Sequence, residues 1–440
     1  MSEPGYHGAL GVLCQDAGAD LHRVLTAACE PVPARDPVVY LADFACQVLV
    51  PLAAGAAEQE MAGTMAGRAF TTGRPVTSDQ DGSVRVWVPV VELTTRTGVL
   101  AVTVPHAGPQ ILAQAELLGV FTGLVVAAAA RVSDLPHLCR RGRAMSLPAG
   151  MQWDLLPPLS AGTPRALIAG ALEPAYDIAG DAFDYAFNGA DLHLAIFDGL
   201  GHGLGSTLLT GLAVGAYRHA RRDGAPVAGM HAAVDAALAG HYDDISFATG
   251  IIARLATGSG QLEWSCAGHP RPLLLRGRKI VAELSCDPVL PFGLGDGPPM
   301  PRVAELEPDD AVLLYTDGVT EARTADGEQF GLDRLIDLLE REAASGRTAE
   351  ELLRRLVRAV LDHQGGGLRD DATLLLVQWT GTLPGAARRR DRRGTRGCRR
   401  QRALPHPCRR IGTRMDRVTF SRSILLVFGC VDRLKAGTGD

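Results

Sequence analysis

The chain has 440 residues, 46% of them hydrophobic and 21% charged, a balance that suits a soluble chain with core enough for two or three domains. Its net charge of −5 is unevenly placed: residues 381–440 hold 16 Arg and Lys against 4 Asp and Glu, which leaves 28 against 45 in residues 1–380. A body of net −17 argues against nucleic-acid binding there, and nine cysteines without a CxxC pair argue for reduced thiols over a disulfide frame or a zinc site.

The opening MSEPGYHGAL lacks a basic start followed by an apolar core. The most apolar run, 118–130, has 13 residues where a membrane span needs about 20. A cytoplasmic chain with no membrane span is expected. Residues 1–135 read as one small α/β domain. Helical periodicity over 10–29 precedes strands at 38–43 and 46–52. Residues 58–72 read as a helix ending at Gly73-Arg74-Pro75. Strands at 84–91 and 98–104 flank ELTTRT as a hairpin, and a long helix runs from about 110 to 132. On that helix Leu117, Val120, Phe121, Leu124 and Val125 recur at helical spacing, as in a core stripe or a helix pair between two copies of the chain. This order, with GRAFTTGRPV before the strand pair, resembles a GAF domain. The resemblance implies small-ligand sensing or dimerisation, and the same layout suits a packing domain with no ligand. Residues 136–164 read as a linker, first basic (HLCRRGRAM), then proline-rich (SLPAGMQWDLLPPLS).

From 165 to 380 short β-like runs alternate with two helical blocks, 206–219 with 225–239 and 332–344 with 350–363. The runs are ALIAGALEP, FDYAFNG, LHLAIFD, ATGIIARLAT, GQLEWSCAG, RPLLLRG, KIVAELS, AVLLYTD and ATLLLVQW. Many antiparallel strands with a few long helices predict an α+β fold, a sheet-on-sheet core covered by helices.

Four acids occupy comparable places. Asp198 ends LHLAIFD, Asp317 follows AVLLYT, Asp370 precedes ATLLLVQW, and Asp181 lies in YDIAGDAFDYAF. Carboxylates at strand ends can converge, at a cost: two of them 4 Å apart repel by about 4 kcal/mol at an effective dielectric of 20. Four minus charges match two divalent cations, and oxygen-only ligands suit Mg²⁺ or Mn²⁺ over zinc. Such a pair of ions polarises a water and clamps a phosphate for in-line attack.

The longer pattern resembles the PPM-type serine/threonine phosphatases, in the bacterial branch named after the stage II sporulation phosphatase. Its marks are PAYDIAGDAFDYA, FDGLGHG, FATGIIARL with EWSCAGHPRPLLL, LPFGLG, DAVLLYTDGVTEAR, FG at Phe330-Gly331, and DDATLLLV. The resemblance implies a helix-flanked β-sandwich and two Mn²⁺ or Mg²⁺ ions. It implies metal ligands at Asp181, Asp198, the carbonyl of Gly199, Asp317 and Asp370, with Asp184 and Asp371 just behind them. His202, in the GHG loop, is a candidate proton donor to the leaving oxygen or a loop-shaping residue; His269 is expected to shape a turn. The implied substrate is phosphoserine or phosphothreonine on a regulatory protein, such as an anti-sigma-factor antagonist of STAS type. Two positions depart from the family pattern: Phe197 stands where a small residue is usual, and Ala179 replaces the first glycine of GGD.

The glycine loop at 199–205 fails as a dinucleotide fingerprint, because Leu204 and Ser206 stand where glycine or alanine is required. The rival reading is a sensor or scaffold whose phosphatase fold has lost catalysis. Residues 381–440 are arginine-dense and low in apolar residues, so they are expected to be a disordered tail, dispensable for activity.

Overall fold

In a computed structural model the described residues are 21–30, 32–53, 55–80, 82–92, 95–177, 180–240, 246–295, 300–365 and 370–381. The expected helical start at 10–20 and the tail beyond Gly381 lie outside them. Helix α1 (Leu21–Cys29) leads into β1 (Arg35–Ala42), β2 (Val48–Pro51) and the two-residue β3 (Gln59–Glu60). Helix α2 (Met65–Thr72), β4 (Val76–Gln80), β5 (Ser83–Glu92), β6 (Thr95–Val104) and α3 (Pro109–Ala129) follow. The six strands form one antiparallel sheet in the order β3-β2-β1-β6-β5-β4.

The helix expected over 58–72 begins only at Met65. Gly63 takes a φ of 76°, which no continuous helix tolerates, and Thr64 then caps the helix by accepting from the Gly67 N–H at 2.9 Å. Helix α3 has 21 residues, longer than the apolar run inside it, and by length and composition it could cross a bilayer. Its packing shows a different use. Ile111, Ala115, Leu118, Val125 and Val126 are buried in the core with Val86, Val88 and Leu100 of the sheet. A Cβ at Gly123 would lie 2.1 Å from the Val91 carbonyl oxygen, so the small residue lets the helix press onto β5. The stripe expected on this helix is split: Val125 is buried and Phe121 half-buried, while Leu117, Val120 and Leu124 are exposed.

The linker is structured. It holds α4 (Leu135–Arg140) and α5 (Leu147–Leu155). Ser146 caps α5 by accepting from the Ala149 N–H at 3.2 Å, and Pro148 sits in the first turn, where no N–H is missed.

Beyond it come β7 (Ser160–Thr163), β8 (Ala166–Glu173), β9 (Asp181–Asn188), β10 (Asp191–Gly199), α6 (Leu204–Arg222) and α7 (Val227–Ala239). Strands β11 (Ala248–Ala256), β12 (Gln261–Ala267), β13 (Leu273–Arg276), β14 (Lys279–Glu283), β15 (Arg302–Glu305) and β16 (Ala311–Tyr315) follow. The short α8 (Asp317–Thr320), α9 (Leu332–Ala344), α10 (Ala349–His363) and β17 (Ala372–Trp379) complete the described chain. Two antiparallel sheets result, β15-β12-β11-β10-β9 and β14-β13-β16-β17-β8-β7. Between them lie Phe183, Leu194, Ile196 and Ile251 from the first, and Ile168, Val312, Leu314 and Leu375 from the second. The Phe183 ring lies over Gly170 of the facing sheet, where a Cβ would come within 2.4 Å of the ring. Helices α6 and α7 cover the outer face of the first sheet, and α9 and α10 that of the second. Burial on both faces explains why AVLLY is apolar throughout: Val312 and Leu314 face the sandwich, Leu313 and Tyr315 the helices. This is the expected α+β, helix-flanked β-sandwich. All the described residues belong to one compact unit.

Candidate metal-binding site

Strands β9 and β10 are antiparallel neighbours, and their register sets Asp181 directly opposite Asp198. Opposed residues point to one face, here the sandwich face that Phe183 and Ile196 share. In the facing sheet β16 pairs antiparallel with β17, so the end of one meets the start of the other. Asp317 follows the first strand and Asp370 and Asp371 precede the second. Hydrogen bonds join the two sheets. The Asp181 N–H donates to Asp371 Oδ2 at 3.1 Å, and Thr316 Oγ1 donates to Asp181 Oδ2 at 2.8 Å. The Thr373 N–H donates to Thr316 Oγ1 at 3.0 Å, and the Asp371 N–H to Asp370 Oδ1 at 3.0 Å. Gly318 is needed for this approach: a Cβ there would lie 1.9 Å from the Asp371 carbonyl oxygen.

Gathering the acids raises their proton affinity. Burial, then the charges of Asp198 and Asp371, push Asp181 well above the usual carboxylate range. Burial, then Asp317, Asp370 and Asp371, push Asp198 up to about 8. Burial and Asp370 also raise Asp317. Asp371 is pushed up to about 6 by burial, against the pull of the Asp181 N–H. Among the described residues none of these five carboxylates forms an ion pair with Arg or Lys. Asp371 Oδ1 is buried without a hydrogen-bond partner. All-oxygen donors, uncompensated charge and a buried acceptor lacking a donor together fit a hard divalent cation. Asp181 feels the charges of Asp198 and Asp371, and Asp198 those of Asp317, Asp370 and Asp371. Among the described residues no three stand ready to close on one ion.

The Gly199 carbonyl accepts from Ser206 Oγ at 2.9 Å and keeps a second lone pair free. His202 is exposed on the loop before α6. His269 is buried, its Nδ1 2.8 Å from Thr249 Oγ1, and burial pulls it down to about 3, so it is a neutral core residue. Phe197 turns its ring to the helix side, against Tyr217 and Phe292, and leaves the acid face clear. Cys29, Cys46, Cys139, Cys266 and Cys286 are free thiols.

One expected neighbour of the cluster is elsewhere. Asp184 lies three residues along β9 from Asp181, so the pleat turns it to the opposite face. There its Oδ1 accepts from Arg218 at 2.7 Å and its Oδ2 from Arg221 at 2.6 Å, which ties the sheet to α6. Conversely, the sequence reading passed over Gln152. It is 1% exposed on α5, and its Nε2 donates to the Asp181 carbonyl at 2.7 Å and reaches Asp371 Oδ2 at 3.5 Å. Nothing in AGMQWD marks that glutamine as part of a site 29 residues ahead.

Residues 188–380 match the model of the family described as Stage II sporulation protein E (SpoIIE). The match holds Asp198, Gly199, Asp317, Asp370 and Asp371 and begins after Asp181. The chain is similar to phosphoserine phosphatase RsbU of Bacillus subtilis, 26% identical over 224 residues, or 49% of this chain and 64% of that protein. It is also similar to protein IcfG of Synechocystis sp., 28% identical over 145 residues, or 31% of this chain and 21% of that protein. It thus spans less than two thirds of the length of both relatives. Among solved structures, the RsbU and RsbW domains of Rv1364c from Mycobacterium tuberculosis share 29% identity at a TM-score of 0.43, over 50% of this chain and 63% of that one. Over residues 188–380, less than half of its length, the chain is therefore similar to the stage II sporulation protein E family, in keeping with its resemblance to PPM-type phosphatases.

Proposed function

We propose that the chain is a metal-dependent protein serine/threonine phosphatase acting on a phosphorylated regulatory protein. The observation that carries this reading is the convergence of five carboxylates from both sheets with no ion-paired cationic side chain among the described residues to balance them. Asp181, Asp198, Asp317, Asp370 and the Gly199 carbonyl hold two Mn²⁺ or Mg²⁺ ions, and Asp371 with Thr316 fixes the Asp181 carboxylate and backbone between the sheets. When bound, such ions neutralise the phosphate charge and supply Lewis-acid polarisation. His202, exposed beside the cluster's glycine loop, donates a proton to the leaving serine or threonine oxygen. The likeness to phosphoserine phosphatase RsbU supports phosphoserine as the hydrolysed group, and the partner protein proposed is an anti-sigma-factor antagonist of STAS type.

The N-terminal sheet serves as a GAF-like input domain for residues 165–380, through the linker helices of 136–164. The exposed Leu117, Val120 and Leu124 suit pairing of two copies in a cytoplasmic homodimer. Hydrolysis of p-nitrophenyl phosphate by the full chain, dependent on Mn²⁺ and lost in Asp198→Ala, tests the assignment. No turnover with any divalent ion would favour the scaffold reading, whose one point of support is that no three acids among the described residues stand ready to close on one ion.

A further inference from the structure

A cavity of about 640 Å³ lies away from the acid cluster. It lies where the N-terminal sheet, the linker helices and the sandwich meet, and such a volume accommodates a small molecule. Its aromatic wall is Phe44, Phe70 and Trp153, with the Phe44 and Trp153 rings 4.7 Å apart.

The charges around it do not balance. Arg96 is paired with Glu350 at 3.0 Å and Arg354 with Glu351 at 2.8 Å, so these four cancel. Arg140 lies 4.5 Å over the Phe44 ring and donates to the Ala42 carbonyl at 3.0 Å. Four lining acids, Glu92, Asp134, Asp154 and Glu173, form no ion pair among the described residues. Glu173 accepts a single hydrogen bond, from the Ala175 N–H at 3.0 Å. Burial, with Asp43 adding to it, pushes Glu173 up to about 7, against the pull of the Ala175 N–H and the Arg143 charge. Burial also raises Glu92, though Arg140 and Arg131 draw it back.

An anion in this cavity would meet these carboxyl groups, and a neutral ligand would desolvate the half-buried Glu92 and Glu173 without return. A cation with an apolar body satisfies both walls, because aromatic faces attract alkylammonium groups. We propose that the junction cavity is a binding site for a small alkylammonium ligand, held by the unpaired carboxylates and the Phe44 and Trp153 rings. The ligand would touch all three parts of the chain. It would also touch α5 at Trp153, the neighbour of Gln152, whose amide bonds to Asp181. The site stands whether or not the acid cluster hydrolyses phosphate.

Calorimetric titration of the full chain with choline and with its uncharged isostere 3,3-dimethylbutan-1-ol tests this. Choline is expected to bind saturably, at least about tenfold tighter than the isostere, as loss of a desolvated cation–π contact and its counter-charge implies. The double variant Glu92→Gln, Glu173→Gln should weaken choline by about tenfold or more while p-nitrophenyl phosphate hydrolysis without choline is unchanged. The proposal is overturned if choline gives no saturable heat at about 10 mM, a range far weaker than specific pockets show. It is equally overturned if the isostere binds as well, or if the folded double variant binds choline as the unmodified chain does. The isostere comparison uses the unmodified chain, so it decides even where the double variant fails to fold.

Discussion

Replacing Gln152 with leucine keeps the volume of the side chain nearly constant and removes one amide from beneath the acid cluster. The residue is 1% exposed, its Nε2 donates to the Asp181 carbonyl at 2.7 Å, and its Oε1 has no partner. Losing the short bond leaves a buried carbonyl unsatisfied, which costs about 1–3 kcal/mol. The 3.5 Å contact to Asp371 is too long to add much. Removing the unpartnered Oε1 returns about 1 kcal/mol of desolvation. The net loss is about 0–2 kcal/mol, read as a fall in Tm of about 2–4 °C per kcal/mol for a unit of a few hundred residues. A second effect should exceed the first. Asp181 loses the bond that holds its backbone, and Mn²⁺ affinity should drop by about 10-fold, at the low end for partners of metal ligands. Thermal melts without metal and calorimetric titration with Mn²⁺ measure the two. Unchanged melting and unchanged affinity would refute the idea that the linker helix shapes the acid site.

Other outcomes follow from the same geometry. Asp371 at about 6 and Asp198 at about 8 lie above the usual 3.8, so the folded metal-free chain holds protons that the unfolded chain has released. Its stability should therefore fall as pH rises from about 4 to about 8, and saturating Mn²⁺ should flatten that decline in urea titrations across the range. Gly318→Ala must push α8 from the Asp371 carbonyl, since its Cβ would lie 1.9 Å from that oxygen. It should destabilise by about 1–3 kcal/mol and weaken Mn²⁺ binding, and a neutral result in both would show the approach to be looser than described. Asp184→Ala leaves Arg218 and Arg221 without their partner. A loss of about 3–5 kcal/mol in urea unfolding is expected, with the Mn²⁺ affinity of the folded fraction unchanged; a large affinity change would return Asp184 to the site.

Apolar runs such as AVLLY and ATLLLVQW disclosed their strands because burial on both faces leaves no polar position to blur them. Four short edge strands were invisible: QE, VTSDQ, SAGT and RVAE are mostly exposed or half-buried and carry little apolar signal. Helix α5 was hidden by a proline-rich composition, although Ser146 followed by Pro148 is a helix start. The acids were legible as a set because each borders a strand. The mistake over Asp184 was avoidable: positions 181 and 184 differ by an odd number, which sends them to opposite faces of any strand. Gln152 could not have been found, since its role depends on where the linker packs and not on its neighbours in sequence.

The Phe183 ring set against Gly170 acts as a spacer between the two sheets. Asp181 and Asp198 ride on one sheet and Asp317, Asp370 and Asp371 on the other, so the gap a ligating ion must bridge is dictated by an aromatic ring two residues along β9 from Asp181. Interior packing and catalytic readiness are then one variable, and a trimmed ring in the middle of the sandwich would be felt at its rim.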